Sequence, residues 1–181
     1  MRKVTLQEIQ QLAQNAKEDL WSVAQSYGRD VKLYLHWSAG HYGQFFNDYH
    51  INIDYDGSLY VSSDDLSEVK SHTWHRNSGA IGVSLACCVG ATTEDWGSEP
   101  PTDLQIEAMA QVVSVLCKVL DLTVDRERVM THAEAADEDG YGPASTCERW
   151  DLWFLPNVAK GEGGNVIRCK AILHQQQGEH N

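Results

Sequence analysis

Apolar residues recur along this chain with two periods, and the switches between them lay out the elements. Between Thr5 and Ser26, Leu6, Ile9, Leu12, Ala13, Ala16, Leu20 and Val23 fall at steps of three and four, the spacing of one helix face. Thr5 with Glu8 reads as a capping box that starts this helix, and Gly28 as its stop. The period then shortens to two in "VKLYLHW", which predicts a strand. "YHINIDYDGSLYVSS" predicts two short strands around an Asp56-Gly57 turn. "GAIGVSLACCVGA" is a continuous run of small apolar residues, the pattern of a buried central strand. A second helix starts at Thr102, capped with Gln105, and carries the stripe Leu104, Met109, Val112, Val113, Leu116 and Leu120. "RERVMTHAEA" predicts a short strand ending on His132. The Gly-rich loop "ADEDGYGPAST" follows, and "CERWDLWFL" is expected to start a last helix or turn. The pattern is that of an α/β fold with a mixed central β-sheet flanked by helices. A single domain is expected over residues 1–172, with residues 173–181 a disordered tail.

Composition narrows the class. A chain of 181 residues with 42% apolar and 22% charged residues suits one globular domain with a sizeable core. The formal charge of −12 argues against nucleic acid and against anionic membranes as partners. No apolar run approaches the roughly 18 residues of a membrane span. The N-terminal "MRKVTLQEIQQLAQ" lacks the apolar stretch of a secretory signal, so synthesis in the cytoplasm is expected. The cysteines (Cys87, Cys88, Cys117, Cys147 and Cys169) are odd in number and form no C-x-x-C pair. They are not a disulfide framework, and Cys87, Cys88 and Cys117 read as buried thiols.

Two segments carry the candidate chemistry. "LYLHWSA" and "VMTHAEA" share one design: a short apolar run, a histidine, then small residues. Either histidine alone is explained as a packing residue at a strand end. Two at the ends of two strands, however, can converge at one rim of a sheet. A catalytic zinc needs three protein ligands and one open position. Asp151 and Cys147 both offer a third donor, although Asp151 alone also reads as a helix N-cap and Tyr49 alone as a half-buried strand residue.

In this order along the chain, "LHWSA", "DYHINIDYDGSLY", "TWHRNSGAIGVSL", "THAEA" and "RWDLW" resemble the motifs of the zinc-dependent N-acetylmuramoyl-L-alanine amidase family. That family includes phage amidase-type lysozymes, bacterial muropeptide amidases and peptidoglycan recognition proteins. The resemblance covers roughly residues 31 to 155 and implies a mixed sheet with flanking helices. It implies His36, His132 and Asp151 as zinc ligands, with Cys147 the alternative to Asp151. Tyr49 matches the family's active-site tyrosine, and Arg149 stands where many members carry a lysine that steadies the oxyanion. His75 and Asn77 fall where substrate-groove residues are found, and Trp37, Trp74 and Trp153 are candidates for the groove or the core. Ser84 occupies the position of the glutamate base of some branches, as in the phage enzymes that lack it. The Cys-Pro-Gly or Asp-Pro-Gly that usually follows the third ligand is also absent.

The resemblance implies hydrolysis of the amide between N-acetylmuramic acid and L-alanine in peptidoglycan, with Glu134 a candidate to protonate the leaving amine. The expected role is a monomeric phage or prophage endolysin that reaches the cell wall after release. The alternatives are a non-catalytic peptidoglycan-binding module, a cytoplasmic muropeptide-recycling amidase and another zinc hydrolase. A zincin is disfavoured because H-E-x-x-H does not occur.

Overall fold

The computed structural model describes residues 1–179 as ten elements. They are β1 (Arg2–Val4), α1 (Leu6–Ser26), β2 (Lys32–Trp37), β3 (Ile51–Ile53), β4 (Leu59–Val61), β5 (Ala80–Leu85), α2 (Asp103–Leu120), β6 (Val129–Thr131), α3 (His132–Asp139) and α4 (Gly163–Glu179). The strands form one mixed sheet in the order β1-β4-β3-β5-β2-β6. β3, β5, β2 and β6 run parallel, while β4 and β1 complete one edge antiparallel.

Local signals account for most of these elements. The capping boxes at Thr5–Glu8 and Thr102–Gln105 are both closed, so each side chain satisfies one orphan main-chain donor of its helix. The β3–β4 hairpin turns through Gly57, whose φ of +86° is left-handed and costs little without a Cβ. Three elements were not legible. α3 runs from His132 to Asp139, into a stretch expected to be loop. β1 is a three-residue edge strand ahead of the first cap. The segment 147–155 contains turns and no helix; the last helix is α4, which starts at Gly163.

α4 also corrects the expected tail. The chain stays helical through Glu179, so residues 173–179 are ordered rather than disordered. Side chains tie this stretch to α2: His174 pairs with Glu107, and Gln175 Nε2 donates to the Ser114 carbonyl at 3.3 Å. His180 and Asn181, the last two residues of that expected tail, lie outside the described residues.

The two sheet faces are unequal. Leu33, Leu35 and Trp37 of β2, Ile81, Val83 and Leu85 of β5 and Val129 of β6 join the main core with residues of α1, α2 and α4. Alternation turns the intervening side chains to the other face. There Tyr34, Ala80 and Met130 form a small cluster with Ala135 of α3. This second face is thinly covered, and it carries His36, Gly82 and Ser84 in place of large apolar residues.

Candidate active site

β2 and β6 are parallel neighbours, with Leu35 paired to Thr131. The next residue on each is a histidine. His36 is the penultimate residue of β2, and His132 opens α3 directly after β6. Both therefore emerge at the carboxyl ends of the strands, where open α/β sheets hold their ligands. Asp151 reaches the same point from the loop before α4, and its carbonyl accepts the N–H of Ala133 at 3.3 Å. The three donor atoms form a tight triangle. His36 Nδ1 lies 3.1 Å from His132 Nδ1 and 3.0 Å from Asp151 Oδ2, and the third side is 3.2 Å. All three residues are buried. They form the group among the described residues whose donor atoms are placed to hold a metal ion. Cys147 does not belong to it; it sits in the preceding turn at a left-handed φ of +57°.

Burial holds His36 neutral by lowering its pKa to about 4. Burial acts the other way on Asp151, but the adjoining His132 and His36 outweigh it and keep the carboxyl well below the usual range. The triangle is therefore a neutral imidazole and a carboxylate closing on a second imidazole. These are electron-pair donors facing one another, an arrangement that needs a proton or a cation among them.

The two histidines are backed from behind. His132 Nε2 lies 3.4 Å from the Tyr141 hydroxyl. His36 Nε2 lies 3.3 Å from His72 Nδ1 and 3.4 Å from Thr73 Oγ1. The position of His132 is fixed by a capping box at the start of α3: Thr131 Oγ1 accepts from the Glu134 N–H, and Glu134 Oε1 accepts from the Thr131 N–H at 2.9 Å. Arg168 of α4 grips the same carboxylate with two hydrogen bonds of 2.7 and 2.8 Å. Burial alone would raise the Glu134 pKa, but Arg168 and the Thr131 N–H outweigh it, and it stays ionised. Glu134 is thus fully engaged as an acceptor, which removes it as the source of the leaving-group proton. Its work is to hold α3, and with it His132.

Two cavities meet at the triangle. The larger, about 810 Å³, is lined by Trp74, His75, Tyr141 and Asn77 among others, and the smaller, about 390 Å³, by Ser38, Asp48, Tyr49 and Asp151 among others. His72, His132, Glu148 and Arg149 border both, so the two are arms of one groove crossing the site. Arg149 is exposed there, and among the described residues it has no ion-pair partner. Tyr49 packs against the His36 ring at 5.0 Å between centroids. Burial, then the Asp151 charge, raise its pKa, so its hydroxyl stays protonated at neutral pH. His75 faces the larger arm, stacked on the exposed Trp74 at 3.9 Å.

Other expected residues also make structural contacts. Asn77 borders the groove, but its side-chain oxygen accepts the main-chain N–H groups of His72 and Thr73, so it shapes that loop. Trp37 lines the smaller arm yet is only 5% exposed, and its ring packs edge-on against Phe154. Ser84 is buried opposite His36 in the β2–β5 register. His72, Tyr141 and Glu148 are site residues that sequence reasoning missed. They lie in loops or at a helix end without periodicity, where only the triad's position gives them meaning.

A search of curated proteins returns no significant match. Among solved structures, the chain is similar to the endolysin N-acetylmuramoyl-L-alanine amidase LysCS from Clostridium intestinale URNW, at 17% identity and a TM-score of 0.43, covering 59% of this chain and 70% of that one. The amidase LysC of the same organism gives 17% identity and a TM-score of 0.43, with 59% and 72% covered. The ectodomain complex of peptidoglycan recognition proteins LCa and LCx bound to tracheal cytotoxin gives 16% identity and a TM-score of 0.44, with 64% and 78% covered. The sequence profile described as N-acetylmuramoyl-L-alanine amidase (Amidase_2) matches residues 9–149, a span that holds His36, His132, Tyr49 and Arg149 and stops just short of Asp151. The chain belongs to the N-acetylmuramoyl-L-alanine amidase family.

Proposed function

We propose that the protein is a zinc-dependent amidase that hydrolyses the bond between the lactyl group of N-acetylmuramic acid and L-alanine in peptidoglycan. The observation that carries this reading is the His36–His132–Asp151 triangle at the crossing of the two groove arms. Its dimensions fit the metal. Ligands about 2.0–2.1 Å from zinc in a tetrahedron are about 3.3 Å apart, close to the observed sides of 3.0, 3.1 and 3.2 Å. Two imidazoles and one carboxylate are also the donor set of hydrolytic zinc sites, whereas calcium and magnesium prefer oxygen alone.

When bound, zinc supplies Lewis acidity that lowers the pKa of a neighbouring water and polarises a carbonyl. The rest belongs to the chain. The groove holds the glycan in one arm and the stem peptide in the other, which brings the scissile amide over the triangle. Arg149, which has no ion-pair partner among the described residues, donates to the oxygen that gains charge in the tetrahedral intermediate. Tyr49 stays protonated and donates a second hydrogen bond at the same point. Each donor aimed at developing charge is typically worth about 3 kcal/mol of barrier.

Ser84, in place of a glutamate base, supports a phage-type lysin that attacks the cell wall, because that branch works without the glutamate. The test is a turbidity assay on purified peptidoglycan with the intact protein. Clearing that stops with a chelator and returns with zinc supports the reading. Binding to the wall without clearing, in the presence of zinc, refutes it.

A further inference from the structure

His72 has no role in the chemistry just described, yet the fold makes unusual provision for it. Its ring lies on the thin face of the sheet, 7% exposed, between the rings of His36 and His50, at 5.2 and 5.8 Å between centroids. The backbone leaves room for it at Gly82 of β5, where an added Cβ would come within 2.7 Å of the imidazole. The loop that carries it is pinned, because Asn77 accepts both the His72 and the Thr73 N–H. His50 beside it is fixed independently: its Nε2–H donates to the Glu68 carbonyl at 2.6 Å and its Nδ1 accepts the Gly82 N–H at 2.9 Å.

One atom of this arrangement is left over. His72 Nε2 is the buried side-chain nitrogen without a hydrogen-bond partner among the described residues. An orphaned buried polar atom is costly and rare, so a site that keeps one needs a use for the other end of the ring. That end, Nδ1, faces His36 Nε2 at 3.3 Å, with the Thr73 hydroxyl 3.0 Å from His72 and 3.4 Å from His36. The proton assignment follows from His36. Its Nδ1 points into the triangle and must offer a lone pair there, so in the neutral ring Nε2 carries the hydrogen. This hydrogen meets an acceptor pair: the Thr73 oxygen, whose own hydroxyl donates on to His72 Nδ1, and His72 Nδ1 itself.

We propose that His72 and Thr73 together are positioning residues for the metal site. They lock the tautomer and ring orientation of His36, the task that a carboxylate or main-chain carbonyl performs behind most metal-bound histidines. The inference rests on the zinc reading above. Neither residue touches metal or substrate in this role; both act through His36.

The test is the zinc dissociation constant of the full chain by competition with a chromophoric chelator, alongside the thermal melt of the zinc-free protein. His72→Leu keeps bulk and removes the acceptor; it weakens zinc binding by about 10- to 100-fold. Thr73→Val, nearly isosteric, weakens it by a smaller factor without changing the zinc-free melt. His72→Asn places an oxygen close to where Nδ1 stood, and Thr73→Ser keeps the hydroxyl, so both return the affinity towards wild type. The proposal is overturned if His72→Leu and Thr73→Val bind zinc as tightly as wild type. It is equally overturned if the Asn and Ser variants are as weak as the Leu and Val variants, which marks a packing role only. Wild-type protein that binds no zinc would instead sink the metal reading itself, and this inference with it.

Discussion

Glu134 and Arg168 form a buried two-point ion pair, with hydrogen bonds of 2.7 and 2.8 Å joining the start of α3 to α4. The same carboxylate caps the Thr131 N–H, so the pair anchors the turn that presents His132. Breaking a buried pair by removing one partner typically costs about 3–5 kcal/mol, because the remaining charge is stranded. Arg168→Met is therefore expected to lower the Tm by on the order of 10 °C for a chain of this size. Glu134→Gln should do likewise, yet at a temperature where it is folded its kcat should remain close to wild type. A melt and an assay on the same sample check both, and a folded Glu134→Gln variant with no turnover would restore Glu134 as a proton donor.

The triangle itself makes a second prediction. Asp151→Asn removes the one carboxylate and leaves two imidazoles; Asp151→Ala also opens a gap. Both variants should lose zinc from the purified protein, measured by elemental analysis, and lose at least about 100-fold in activity, the scale of a missing centre of charge stabilisation. Cys147→Ser should change neither, since Cys147 lies outside the donor group.

Arg149 is exposed on the groove, so its removal should not disturb the fold. Arg149→Ala is expected to lower kcat by about 10²- to 10³-fold, the loss typical of one oxyanion donor, while KM changes little. Arg149→Lys keeps the charge but loses the two-pronged donor, and should recover part of the rate. Steady-state kinetics on a soluble muropeptide separate these outcomes.

His50 predicts acid lability apart from the metal site. Burial lowers its pKa from 6.5 to about 4. The unfolded chain therefore takes up a proton as pH falls through 6.5, but the folded chain only near 4. Between these values the unfolded state binds more protons, and folding stability falls with pH. The full contribution is present above pH 6.5, and roughly 3 kcal/mol is lost by pH 4. Denaturant titrations of zinc-free protein at pH 7 and pH 5 should show the loss, and it should be smaller in His50→Gln.

What could be read from the sequence follows from where periodicity survives. His36 and His132 were legible because each ends a short apolar strand, and parallel neighbours bring their carboxyl ends to one rim. Asp151 was legible only as one of two possible third donors, with Cys147, and the resemblance put it first; its loop has no pattern, and a left-handed Leu152 follows it. Trp37 was read as groove or core, and it is both: opposite in facing to His36 along the strand, it packs on Phe154 in the core while bordering the smaller arm. Asn77 was placed in the groove by resemblance, and it borders the larger arm. Its two main-chain hydrogen bonds are the commoner work of an asparagine in a turn. α4 was missed because it opens on Gly163-Gly164 and ends in glutamines, so neither cap nor stripe announces it. His72 was unreadable, since its importance depends on Gly82 leaving room beneath it and on His36 lying alongside.

The central claim is best tested by mass spectrometry of purified peptidoglycan digested with the zinc-loaded protein. The account predicts stem peptides released with a free L-alanine amino terminus, and glycan strands that retain intact N-acetylmuramic acid without peptide. Products cut within the glycan or within the stem peptide, or an undigested wall, would contradict it.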